Sequence, residues 1–165
     1  MLPVLYREGG HTMSRKFLSE PVYAEAIGAL VIDCTDAVIV DWGERVFYLA
    51  KRAVKPMKGI WVIGGRRSAG EPLPDSMCRC FKRETGLDLP RGRFTYIAGQ
   101  DCIWKDREQE PQDAGSHNFC HRFAVELTSE ERGRATRPFS RKDLVAANVH
   151  QSLIDLYHLV FGPAA

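Results

Sequence analysis

Glu71, Arg79, Arg83 and Glu84, set between the glycine pair Gly64-Gly65 and Gly86, are the side chains best placed by type and spacing to do chemistry. The pattern predicts a glycine turn after a short strand, then a helix over 75–85 that follows Pro74 and is closed by Gly86. On that helix positions 80 and 84 lie one above the other, with 83 beside them. Carboxylates at these places would concentrate negative charge and hold hard divalent cations through oxygen. Only Glu84 is a carboxylate; Cys80 offers a soft sulfur, and Arg83 a cation that repels metal unless it turns outward. One carboxylate can still hold a magnesium ion if a backbone carbonyl and ligand phosphate oxygens complete the octahedron, and the Gly65 carbonyl is the natural candidate. The competing reading makes Glu84 an exposed helix acid paired with a nearby base. Glu71 reads as a brace for the glycine loop and Arg79 as its internal partner, because a buried acid needs a paired charge.

The elements that must position these residues are legible around them. Val22, Tyr23, Ala26, Ile27 and Leu30 recur at helical spacing after Ser19-Glu20-Pro21, which predicts a short amphipathic helix over 20–29. Two β-rich runs, 37–40 and 46–49, flank Asp41-Trp42-Gly43-Glu44 and predict a hairpin. A buried strand over 60–63 runs into the glycines, whose missing Cβ lets backbone or ligand approach closely. Strands are expected at 95–98 and 119–127, with the polar stretch 104–117 between them as a binding rim or lid. An amphipathic helix over 148–161 ends the pattern, and the irregular alternation of elements gives α/β (α+β) with a mixed sheet.

The chain has 165 residues, of which 44% are hydrophobic, enough for one core. Residues 17–165 are expected to form a single domain, preceded by a flexible extension over 1–16. The 23 basic and 21 acidic side chains nearly cancel, so global charge argues neither for nor against a nucleic-acid partner, and none is expected. Locally, Arg132, Arg134, Arg137, Arg141 and Lys142 form one basic cluster and Lys51, Arg52, Lys55 and Lys58 another. The first reads as solvated surface; the second, just ahead of the glycines, could bind phosphate. Five cysteines form an odd set without zinc spacing. With no signal peptide and no apolar run near about 18 residues, a cytoplasmic protein with no membrane partner is expected.

Gly65, Glu71, Arg79, Glu84, Gly86 and Leu87 fall at the spacing of the Nudix box, and the chain resembles the Nudix hydrolase superfamily with a degenerate box. It looks most like the GDP-mannose mannosyl hydrolase branch, whose box also keeps only the last helix glutamate. Asp36-Ala37-Val38-Ile39-Val40, Leu49-Ala50-Lys51-Arg52, Lys55 to Trp61, Ser116-His117 and Asn148-Val149-His150 follow that pattern, which covers roughly 17–161. The resemblance implies a Nudix α/β/α sandwich, a homodimer, and magnesium-dependent cleavage of a nucleotide sugar at the anomeric carbon. It makes Arg52 and Arg66 the diphosphate arginines, Glu84 and Gly65 the metal ligands, and Asp36 a polar contact near the sugar. Bidentate guanidiniums suit a departing diphosphate, whose charge grows as the bond breaks.

The branch's Gln-His pair, which supplies a metal ligand and the general base, has no counterpart, because 130–142 contains neither residue. His117 is the leading replacement, with His121, Asp101 and Asp113 as alternatives, and each also fits an ordinary strand or loop role. Two functions follow. One is a magnesium-dependent hydrolase of a nucleotide sugar or related nucleoside diphosphate derivative. The other is a module that binds such a ligand and regulates or scaffolds.

Overall fold

The computed structural model describes residues 5–14, 16–135, 139–142 and 149–162, the stretch 139–142 as backbone only. Helix α1 (Glu20–Ala29) carries Pro21 in its first turn, where a missing N–H breaks no helical bond. Its apolar face is weaker than the spacing predicts: only Ile27 is buried, while Val22 and Leu30 stay exposed. Strands β1 (Ile32–Asp41) and β2 (Val46–Arg52) form the expected hairpin. Its turn is held by the Glu44 N–H, which donates to Asp41 Oδ1 at 3.0 Å.

The single strand expected at 60–63 is instead two, β3 (Gly59–Trp61) and β4 (Ile63–Arg66), broken at Val62. The break has a cause in β1, which is shared along its length. Residues Ile39 to Asp41 pair with β2, which in turn pairs with β3, whereas Cys34 to Ala37 pair with β4. Gly64 and Gly65 therefore lie in an extended strand rather than a turn, and the chain bends only beyond Arg66.

Helix α2 (Leu73–Thr85) begins two residues before the expected start, after Pro72, and ends at Gly86, whose φ of 75° is the left-handed conformation that favours glycine. Met77 and Phe81 are fully buried on its sheet-facing side. Strand β5 (Thr95–Trp104) runs well past the expected 98, and β6 (Ser116–Glu126) starts earlier than 119 because it pairs with β5 along that extra length. Helix α3 (Ser129–Arg134) is opened by a capping box between Thr128 and Glu131. Strand β7 (Phe139–Lys142) pairs with β2, and helix α4 (Gln151–Phe161) is capped by the His150 side chain. Asn148 lies outside the described residues.

The described strands form one mixed sheet in the order β3-β2-β1-β6-β5, with β4 on β1 and β7 on β2; β1 and β6 are parallel. Alternation along β1 feeds two cores. Ala37 and Ile39 pack with Met77, Phe81 and Leu87 on the α2 side, and Val38 and Val40 with Leu153 and Leu156 of α4 on the other. The result is the expected α/β/α sandwich. Among the described residues no helix is long and apolar enough to cross a membrane. Near the N-terminus, Arg7 donates to the Gly70 carbonyl at 3.2 Å, which lays this segment against the loop before α2.

Candidate functional site

The pairing of β4 with β1 sets Gly64 opposite Asp36 and Gly65 opposite Thr35. A Cβ on Gly64 would lie 2.0 Å from Asp36 Oδ1 and 2.4 Å from the Thr35 carbonyl, so any side chain there would have to displace the strand. Two clefts meet at this point. The first, of about 320 Å³, is lined by Tyr23, Asp36, Arg52, Gly65, Arg66 and Trp104, among others. The second, of about 330 Å³, includes Arg52, Gly64, Gly65, Arg83 and Glu84 in its walls. Arg52 and Gly65 border both clefts. Arg52 is held in place by its own loop, donating to the carbonyls of Val54 at 3.1 Å and Lys55 at 3.3 Å. Of the basic cluster at 51–58, Arg52 and Lys55 line the first cleft; Lys51 and Lys58 do not.

The floor of the first cleft is a buried ion pair. Arg122, 1% exposed, places Nη1 2.5 Å from Asp36 Oδ2, while its Nε donates to Gln100 Oε1 at 3.0 Å and its Nη2 to Cys102 Sγ at 3.4 Å. Burial pushes the Asp36 carboxyl above the usual range, against the opposing pull of Arg122 and then Arg52. Above this floor the Arg66 guanidinium stacks 4.2 Å from the Tyr23 ring centroid. The stretch between β5 and β6 forms a wall of this cleft and is pinned by Arg107. That side chain is buried and donates to the carbonyls of Ala24, Gln109, Glu110 and Pro111. The stretch is therefore a fixed rim.

Around the second cleft, Arg79 grips Glu71 with Nε at 2.6 Å and Nη2 at 2.8 Å, and its Nη2 also reaches the Arg66 carbonyl at 3.0 Å. Burial pushes the Glu71 carboxyl up, but the hydrogen bonds from Arg79 and from the Ser68 N–H hold it below the usual carboxylate range. Arg83 does not turn away from the site. Its Nη2 donates to the Gly64 carbonyl at 3.2 Å and to Glu84 Oε1 at 3.0 Å, and would lie 2.7 Å from a Cβ on Gly65. Cys80 is fully buried in the core on the α2 side of the sheet.

The donor set does not fit a resident magnesium ion. The Glu84 carboxylate beside Gly65 already carries a guanidinium, and the thiol below it is sealed in the core. Among the described residues no group of three or more His, Cys, Asp and Glu side chains is arranged to hold a metal.

The candidate bases lie elsewhere. Ser116 and Asn118 line the first cleft, so His117 between them points to the opposite face, where Nε2 meets Asp101 Oδ1 at 2.9 Å. His121 also faces away, with Nε2 3.0 Å from Asp33 Oδ1; burial pushes its pKa down and Asp33 opposes this. Asp113 sits on an exposed turn. Sequence reasoning missed Arg122, Tyr23 and Trp104 as cleft residues. For Arg122 the signal was present: a cation in the middle of the strand run 119–127, where an unpaired charge would be costly. In the basic cluster at 132–142, Arg132 stacks on Tyr48 at 4.6 Å and Arg134 lies 3.8 Å from Glu130. Arg137 and the side chains of Arg141 and Lys142 lie outside the described residues.

This architecture, a mixed sheet between helices with a glycine strand leading into α2, is that of the Nudix hydrolases. The chain is similar to the MutT NUDIX hydrolase from Burkholderia pseudomallei, with a TM-score of 0.61 and 20% identity over 79% of this chain and 98% of that one. It is also similar to the NUDIX domain of Shewanella oneidensis NrtR, solved in complex with ADP ribose (TM-score 0.53, 12% identity, 87% of this chain and 97% of that one). A NUDIX hydrolase from Nitrosomonas europaea gives a TM-score of 0.53 at 15% identity, over 80% and 91% of the two chains. At these identities the likeness is one of fold. No family model matches the sequence, and no curated protein does.

Proposed function

We propose that this chain hydrolyses a nucleoside diphosphate derivative, with a nucleotide sugar of the GDP-mannose kind as substrate class. The observation that carries this reading is the position of Arg52 on the divide between the two clefts. A diphosphate bound there would send one end of the ligand into the first cleft. Tyr23 and Trp104 line it with aromatic surface, and Asp36 offers an acceptor for hydroxyl groups. Arg52 and Arg66 would then stabilise charge developing on the leaving diphosphate. That a domain of the same fold was solved with ADP ribose supports this ligand class.

The resemblance implies magnesium, and its effect is read in a separate arm of the experiment. A single domain over 17–165, a flexible extension over 1–16 and a homodimer belong to the same reading, the last checked by sedimentation. A second reading, a ligand-binding module without turnover, is favoured by the turn of His117 away from the cleft. Without a positioned base, hydrolysis should run about 10²–10⁴-fold slower.

The test is a screen of nucleoside diphosphate sugars with and without magnesium, following both released products and the melting temperature. Release of sugar and nucleoside diphosphate supports the hydrolase. A raised melting temperature without products supports the binding module. Neither response to any of these ligands overturns both readings.

A further inference from the structure

We propose that Arg83 takes the place of a divalent cation in the second cleft, so that a diphosphate binds between Arg83 and Arg52 without any metal ion. The inference rests on the reading above that the ligand is a nucleoside diphosphate derivative. Its ground is the position of one guanidinium. Arg83 Nη2 bridges the Gly64 carbonyl and Glu84 Oε1, against the backbone of Gly65, which is where the sequence places magnesium. Gly65 leaves the space this side chain occupies, because a Cβ there would meet Arg83 at 2.7 Å.

Charge and donor count favour an anion over a metal. The Glu84 carboxylate is neutralised by Arg83, so it neither attracts a cation strongly nor repels a phosphate. Both of the Arg83 hydrogen bonds leave from Nη2, which leaves the Nε and Nη1 donors for a ligand in the cleft that Arg83 lines. Arg52 stands on the same cleft, with its guanidinium fixed by two backbone carbonyls. Two guanidiniums facing one cleft suit the two phosphates of a diphosphate.

The test is calorimetric titration of ADP, GDP and UDP into the full chain, in EDTA and in magnesium, for wild type, Arg83→Ala and Arg83→Glu. We expect at least one diphosphate to bind wild type in EDTA within about threefold of its affinity in magnesium. Arg83→Ala should weaken binding in EDTA by about 10–100-fold, the range of one or two charge-assisted hydrogen bonds. Arg83→Glu should abolish binding in EDTA and restore it in part with magnesium, since two carboxylates then flank Gly65. Wild-type binding that requires magnesium overturns the inference and leaves the ligand class standing, as does Arg83→Ala binding in EDTA as well as wild type. Failure of all three diphosphates under both conditions overturns the ligand class and this inference together.

Discussion

Two arginines about one turn apart on α2, Arg79 and Arg83, each hold a glutamate, and the two pairs behave as different objects. Arg79 holds Glu71 through two nitrogens, also bonds the Arg66 carbonyl and Ser76, and is mostly shielded, with its side chain 24% and that of Glu71 16% exposed. Arg83 holds Glu84 through one nitrogen, with its own side chain 51% exposed. The first pair closes the 66–71 loop onto the helix, largely out of solvent. The second lies on a cleft wall. The residue types are the same, so what separates brace from ligand site is shielding and the number of bonds already made.

The largest break in this comparison comes from the residue between the pairs. Sequence logic would restore a metal box by placing a carboxylate at 80, but Cys80 is packed with Met77 and Phe81 and has no access to either cleft. Cys80→Glu should cost about 3–5 kcal/mol, the scale of an unpaired buried charge, with no gain in magnesium affinity. Thermal melts with and without magnesium check both halves. Next, Arg79→Ala should cost about 2–3 kcal/mol and lower the melting temperature by about 5–10 °C, because it strands Glu71 and unties the Arg66 carbonyl. A melting temperature within a degree or two of wild type would make the brace no stronger than a surface pair.

Much of the brace was visible in the sequence and little of the second pair was. Met77 and Phe81, four apart, announce the buried face of α2, and Gly86 announces its end, because both follow from local geometry. The orientation of Arg83 does not, since a long cation on a helix can reach solvent, a carbonyl or an acid, and only the folded position of Gly64 decides. The same holds for β7, whose Ser140-Arg141-Lys142 has no apolar alternation and is a strand only because β2 lies beside it. The division of 60–63 into two strands was equally hidden, because it depends on how β1 shares its edge. His117 lay on the correct strand but with the wrong parity, which shifts a side chain from the cleft to the far face.

Acid sharpens the comparison further. Glu71 has its folded pKa held below the ordinary value of 4.5. The unfolded chain therefore binds its proton first, and the stability this group contributes is present above 4.5 and lost as pH falls through the lowered value. Glu131, gripped by Arg93 at 2.9 and 3.0 Å, is pushed down to about 2, chiefly by that hydrogen bond, so its loss spans pH 4.5 down to about 2. Glu71→Gln and Glu131→Gln should each flatten the acid limb of a melting-temperature profile measured between these limits. An unchanged limb in Glu71→Gln would mean that the brace does not depend on charge.

The smallest expected effect is on stability at Arg83, and its smallness separates the two pairs most cleanly. Half-exposed pairs contribute about 0–1 kcal/mol, since solvent screens the charges and ordering the side chains costs entropy. Arg83 makes one bond to Glu84 and one to the Gly64 carbonyl, both from the same nitrogen of a half-exposed side chain. Arg83→Ala should therefore move the melting temperature of the ligand-free chain by no more than about 4 °C. A fall as large as that of Arg79→Ala would make Arg83 a second brace, holding Gly64 in register with Asp36, and any lost diphosphate binding in that variant would then be a consequence of a loosened strand. A small shift, with the variant folded and its two cleft walls intact, leaves the missing guanidinium as the cause of whatever affinity is lost.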